Sequence, residues 1–88
     1  MTREETTKLA RESQNPKVLD RLSKHEGWWV RRSVARNPNT PLDILDRLSR
    51  DEDLNVRRGV DENPKWKTLQ EPGLLDVAKL ASKWLGIF

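Results

Sequence analysis

The sequence predicts an all-α protein of 88 residues, a short array of stacked helical pairs closed at each end by a capping helix. Three observations predict it. Residues 18–38 align without a gap on residues 44–64 at an offset of 26, with twelve of the twenty-one pairs identical. The apolar residues inside each unit fall at helical spacing, Leu19/Leu22 and Leu45/Leu48 at i,i+3 and Val30/Val34 and Val56/Val60 at i,i+4. Asn-Pro pairs at 15–16, 37–38 and 63–64 recur as boundary marks. A chain that is 34% hydrophobic and 35% charged would otherwise suit a disordered segment, but disorder gives no physical reason to repeat such a pattern.

The elements follow in order along one domain, 1–88. Residues 1–14 form an N-terminal cap, with Thr2-x-x-Glu5 as a capping box and only Leu9 and Ala10 to bury, so this end is the weaker one. Repeat 1 spans 15–38 and opens on Asn15-Pro16, a capping side chain followed by a first-turn proline. Repeat 2 spans 39–64; there Thr40 is read as the N-cap, Pro41 as the first-turn proline and Asp43 as an acid at the positive end of the helix dipole. The polar stretches 24–27 and 50–53 turn the chain, and their acids are expected to cap second helices starting at about Trp28 and Leu54. Residues 65–88 read as a linker and then an amphipathic helix from near Pro72-Gly73, with Leu74, Val77, Ala78, Ala81, Trp84 and Leu85 on one face.

Helices of about eight to ten residues are marginal alone in water, so each must bury its stripe against its neighbours. The run NPNTPLDILDRLSRDEDLNVRRGVDENP carries Asn-Pro-x-Thr-Pro, Leu-x-x-Leu and Val-Arg-Arg-x-Val. Over about residues 15–64 the chain resembles the leucine-rich-repeat variant family. That resemblance implies a HEAT-like α-solenoid in which about two helical-pair repeats stack in a right-handed superhelix, and it allows the second helix of a pair to be 3₁₀. The iron–sulfur member of that family holds its cluster on a separate cysteine-rich segment. This chain contains no cysteine, so no cofactor carries over.

Chemistry is sparse. With no cysteine, His25 as the only histidine and serines outside any nucleophile motif, no catalytic constellation forms, and a non-catalytic protein is expected. Asp51-Glu52-Asp53 lacks the ligand spacing and glycine of a calcium loop, so no metal is expected. His25 aligns with Asp51 and reads as a solvated turn residue. No apolar run nears 18 residues and no leader pattern opens the chain, which points to a soluble, cytoplasmic protein.

The repeat supplies an internal control for binding residues. Trp28 aligns with Leu54 and is expected at the core or its edge; Trp29 aligns with Asn55, so bulk is not required there, and the indole is either a partner anchor or packing for the N-terminal helix. Arg31-Arg32 and Arg57-Arg58 recur beside the valines. They either pair with Asp20, Asp46 or loop carbonyls to lock the stack, or form a basic ladder that Lys24 and Arg36 extend. Residues 15–38 carry six basic and two acidic residues against four and seven in 39–64. A polyanion would meet the same sign in both units, so this polarity favours a protein partner or electrostatic self-assembly over DNA or RNA.

The expected function is a small regulator, inhibitor or adaptor that occludes or scaffolds a larger protein through Trp29, Arg31, Arg32, Arg36, Lys24, Arg57 and Arg58. Nucleic-acid binding through the basic, tryptophan-containing first repeat is the alternative. A third reading is a structural subunit, possible as a homodimer, that completes its solenoid by self-association through Trp84, Leu85, Ile87 and Phe88.

Overall fold

A computed structural model describes residues 2–70, which fold into six helices: α1 (Arg3–Glu12), α2 (Pro16–Leu22), α3 (Trp28–Arg36), α4 (Leu42–Leu48), α5 (Leu54–Glu62) and α6 (Pro64–Gln70). No strand occurs among the described residues. The C-terminal amphipathic helix read from the sequence, with Trp84, Leu85, Ile87 and Phe88, lies outside them.

The Asn-Pro pairs and valine spacings place the helices closely. Asn15 caps α2 by accepting from the Lys17 N–H at 2.9 Å, with Pro16 in the first turn. The second helices start at Trp28 and Leu54, and both are regular α-helix. Thr2 accepts from the Glu5 N–H at 3.1 Å and starts α1. Asp53 caps α5 through the Asn55 N–H at 2.7 Å, whereas Gly27 occupies the matching position before α3 with no side-chain cap.

Two local expectations change. Pro41, not Thr40, stands at the N-cap of α4, and the buried Thr40 hydroxyl donates to the Val34 carbonyl at 2.7 Å. That carbonyl, in the last turn of α3, takes only a tightened i→i+3 bond from the Asn37 N–H at 3.1 Å, and the Thr40 hydroxyl fills its second lone pair. The stretch after Asn63 is a helix where a linker was expected. Asn63 accepts from the Lys65 N–H at 2.8 Å, so the third Asn-Pro pair opens α6 much as the first opens α2. Its polar Lys65, Lys67 and Thr68 hide the signal, which rests on Trp66 and Leu69 at i,i+3.

The helices form two rows. α3 packs between α1 and α5, and α2, α4 and α6 lie against the other side. In the first row the chains run parallel: Arg3 and Trp29, at the starts of α1 and α3, meet at one end, while Asn37, after α3, bonds the end of α1 at the other. Between the rows sits a core of Ala10, Leu19, Val30, Val34, Ala35, Ile44, Leu45, Leu48, Val56 and Val60, with Leu22, Trp29 and Trp66 packed on it. Leu19, Leu45, Leu48 and the four valines among them are the apolar positions read from the repeat, each worth about 1.5–3 kcal/mol when fully buried.

The units are fastened by a ladder of asparagines that sequence reading treated only as punctuation. The buried Asn37 amide donates to the carbonyls of Ala10 (3.0 Å) and Ser13 (2.9 Å). One unit later the buried Asn63 amide donates to the carbonyls of Ala35 (2.8 Å) and Asn37 (2.9 Å). Each amide nitrogen thus fills acceptors at the C-terminal end of the preceding helix. On the second row Arg47 bonds Asp20 at 3.0 Å and the Ser23 hydroxyl, tying α4 to α2.

Candidate partner-binding face

The recurring arginines divide into two classes. Arg31 sends Nε to Asp51 Oδ2 at 2.8 Å, Nη2 to Asp51 Oδ1 at 3.2 Å and Nη1 to the carbonyls of His25 (2.7 Å) and Glu26 (3.1 Å). The two side chains of that pair are only 12% and 11% exposed, so the fork-to-carboxylate match is part of the fold. Arg57 repeats the carbonyl contact, Nη1 to Asp51 O at 2.7 Å. Both were candidates for partner binding. Arg31 is instead occupied by the turn before α5, and Arg57 is half-buried against the same turn.

The carboxylates expected to hold these arginines serve other cations. Asp20 takes Arg47 and Lys24, and Asp46 takes Arg50. The Arg47 hydrogen bond is the main reason the Asp20 carboxyl titrates below the ordinary aspartate value; partial desolvation opposes it and the charges of Lys24 and Arg47 add to it. Lys24 therefore belongs to the α2 side. His25 is half-buried, not solvated: its Nδ1 accepts from the Gly27 N–H at 2.8 Å, the role that Asp51 plays toward the Asp53 N–H at 2.9 Å.

Trp28 lies further out than expected, and Trp29 takes the second of its two expected roles, packing against the N-terminal helix. Trp28 is 38% and its mate Leu54 49% exposed, because each opens its helix about 200° round from the first inward valine. Trp29 is half-buried and packs on the core. Its ring carries the Arg3 guanidinium at 4.1 Å on α1 and meets Trp28 edge-on at 6.0 Å between centroids. A Cβ built on Gly27 would lie 2.8 Å from the Trp29 ring, so glycine there makes room for the indole. The second unit drops both together, with Asp53 and Asn55 in their places. That paired exchange was the available signal that Trp29 is packed.

What remains open is the exposed side of α1, α3 and α5. Arg32 and Arg58, repeat mates, line one shallow cleft between α3 and α5 with Asn55, Asp61 and Glu62, and neither makes an ion pair with a described residue. Arg36 reaches Glu62 at 3.9 Å, both about half exposed, a pair of little energetic weight. A second cleft of about 620 Å³ runs between α1 and α3, lined by Arg3, Glu4, Thr7, Lys8, Arg11 and Trp29. The α1 residues were read only as a weak cap. Their spacing, Arg3/Thr7/Arg11 at i,i+4,i+8 beside Glu4/Lys8, is the signal for a second helix surface.

The register of the repeat can now be set against known proteins. Residues 28–53 match the leucine rich repeat variant family. The matched stretch is one 26-residue period, from the start of α3 through α4 to Asp53, the cap of α5. The leucine rich repeat variant match and the helices agree on an all-helical repeat protein. No curated protein and no solved structure matches the chain. Among the described residues no helix is long and apolar enough to cross a membrane, and no group of three or more His, Cys, Asp or Glu is placed to hold a metal ion.

Proposed function

We propose that the chain is a non-catalytic protein-binding module, a short HEAT-like, right-handed solenoid that recognises its partner on the face formed by α1, α3 and α5. One observation carries the reading: on that face Arg32 and Arg58 have no ion pair with a described residue, while their sequence neighbours Arg31 and Arg57 are taken up by the fold. A charged fork held on rigid helices, with no ion pair among the described residues, is available to a partner at little ordering cost. The contact set is therefore Arg32, Arg58 and Arg36, joined by Arg3, Lys8 and Arg11 of α1; Trp29 supports it from beneath as a packed side chain. Occlusion of a larger protein, as a regulator, inhibitor or adaptor, is the mode of action that such a surface suits.

The test replaces Arg32, Arg36 and Arg58 together by alanine and compares this variant with the wild type in quantitative capture from lysate of the native cell with and without nuclease. All three are outside the core, so melting should be preserved. A protein captured by the wild type and lost with the variant supports the reading. Capture that is insensitive to the three substitutions, or that disappears with nuclease, overturns it.

A further inference from the structure

We infer that the α1/α3 cleft binds an extended acidic peptide segment, with carboxylates on alternate residues meeting Arg3, Lys8 and Arg11. The inference rests on the protein-binding reading and names the chemistry of the partner. Three cations and one acid, Glu4, line the cleft, so its charge is complementary to carboxylates. Among the described residues these cations carry no ion pair that binding would break beyond that of Arg11 with its exposed neighbour Glu12 at 3.5 Å.

Arg3 is prepared for the role by its contact with Trp29. The guanidinium lies over the indole at 4.1 Å, which fixes its position while its in-plane N–H groups stay free to grip a carboxylate. The same contact bears on the nature of the ligand. With the Arg3 guanidinium over the ring at 4.1 Å, one face of Trp29 is already occupied by a cation, and an aromatic face is what the bases of single-stranded nucleic acids stack on.

Length sets the spacing. Arg3 and Arg11 are eight residues apart, a rise of about 12 Å along α1. Four residues of extended chain cover about 13 Å, and alternate side chains point the same way. Three acids separated by single residues therefore span the cleft from Arg3 through Lys8 to Arg11. A segment laid across the helices would instead meet the Asp61 and Glu62 carboxylates of α5 among Arg32 and Arg58, whereas the α1/α3 cleft has one acid among three cations, so the peptide runs along that cleft.

Fluorescence anisotropy with a labelled peptide of three glutamates alternating with serines tests this on the full chain. The wild type is expected to bind in a salt-sensitive way, and the double variant Lys8→Glu/Arg11→Glu at least about tenfold more weakly, with the helical signal and melting unchanged. Equal affinity of wild type and variant overturns the inference, as does tighter binding of an oligothymidylate of the same charge. The peptide is also added to the lysate capture. If it displaces the captured protein, the inference gains support; if capture still depends on Arg32, Arg36 and Arg58 but the peptide does not compete, the inference fails and the protein-binding reading stands.

Discussion

Replacing Asn63 by alanine isolates the fastening between units. The side chain is fully buried, donates to two carbonyls at 2.8 and 2.9 Å and accepts from the Lys65 N–H at 2.8 Å. Alanine removes all three bonds; the Asn37 carbonyl keeps the Thr40 N–H, but the Ala35 carbonyl and the Lys65 N–H lose these partners, where a typical net loss is about 1 kcal/mol per bond and more for a buried group left unsatisfied. The expected cost is about 3–5 kcal/mol. A domain of this length has a total stability of about 4–13 kcal/mol, so the variant should be largely unfolded or lose much of its denaturant midpoint. Asn15→Ala provides the control: Asn15 is exposed and only caps α2, and its loss should cost about 1 kcal/mol. Urea unfolding followed by far-ultraviolet circular dichroism and by tryptophan fluorescence reads both. If Asn63→Ala costs no more than Asn15→Ala, the ladder does not hold the units together and the reasoning from its geometry is refuted.

Four further outcomes are expected. Arg31→Ala should cost about 2–4 kcal/mol by urea unfolding, since it strands the 11% exposed Asp51 carboxylate, and Arg31→Lys should not restore it because an ammonium cannot match the two-oxygen grip. Gly27→Ala should destabilise by about 1–3 kcal/mol in wild type but much less when Trp29 is already asparagine, and a double-mutant cycle that shows simple additivity would contradict the packing described. Leu48→Ala, at a site 1% exposed, should cost about 2–5 kcal/mol, with an unchanged melting curve counting against the helical stack. The Asp20 carboxyl titrates below its ordinary value, so its contribution is present above about pH 4 and is lost as pH falls further; Asp20→Asn should flatten that acid limb of stability, measured as melting temperature against pH.

The helical pairing was legible because its determinants are local. Val30/Val34 and Val56/Val60 set an i,i+4 stripe, and a stripe of that period specifies both the helix and the side it buries. The same stripe could have located Trp28: two residues before Val30, it points away from the core, and alignment with the apolar Leu54 indicated a shared position on the helix rather than shared burial. The ladder was not legible for a different reason. Asn37 and Asn63 donate to backbone carbonyls, which every residue possesses, so no complementary residue type marks the other half of the bond. Arg31 was ambiguous for a third reason, because Asp51, its partner, sits 20 residues away in a turn whose acids also suit helix capping. At the face of α1, α3 and α5, sequence supplied the cations, but only the packing separates Arg32 and Arg58 from Arg31 and Arg57.

That the asparagine ladder ends on backbone oxygens has a consequence for how such a chain can lengthen. The later unit brings the donor, and the earlier unit contributes only peptide carbonyls, whatever its side chains are. A copied segment that carries its own Asn-Pro therefore arrives with this fastener already made, and at the ladder, unlike at Arg31–Asp51 or Arg47–Asp20, the unit it joins needs no matching side chain. Side chains elsewhere are then free to diverge, as Trp29 and Asn55 or Arg36 and Glu62 have done at equivalent positions, while the join stays the same.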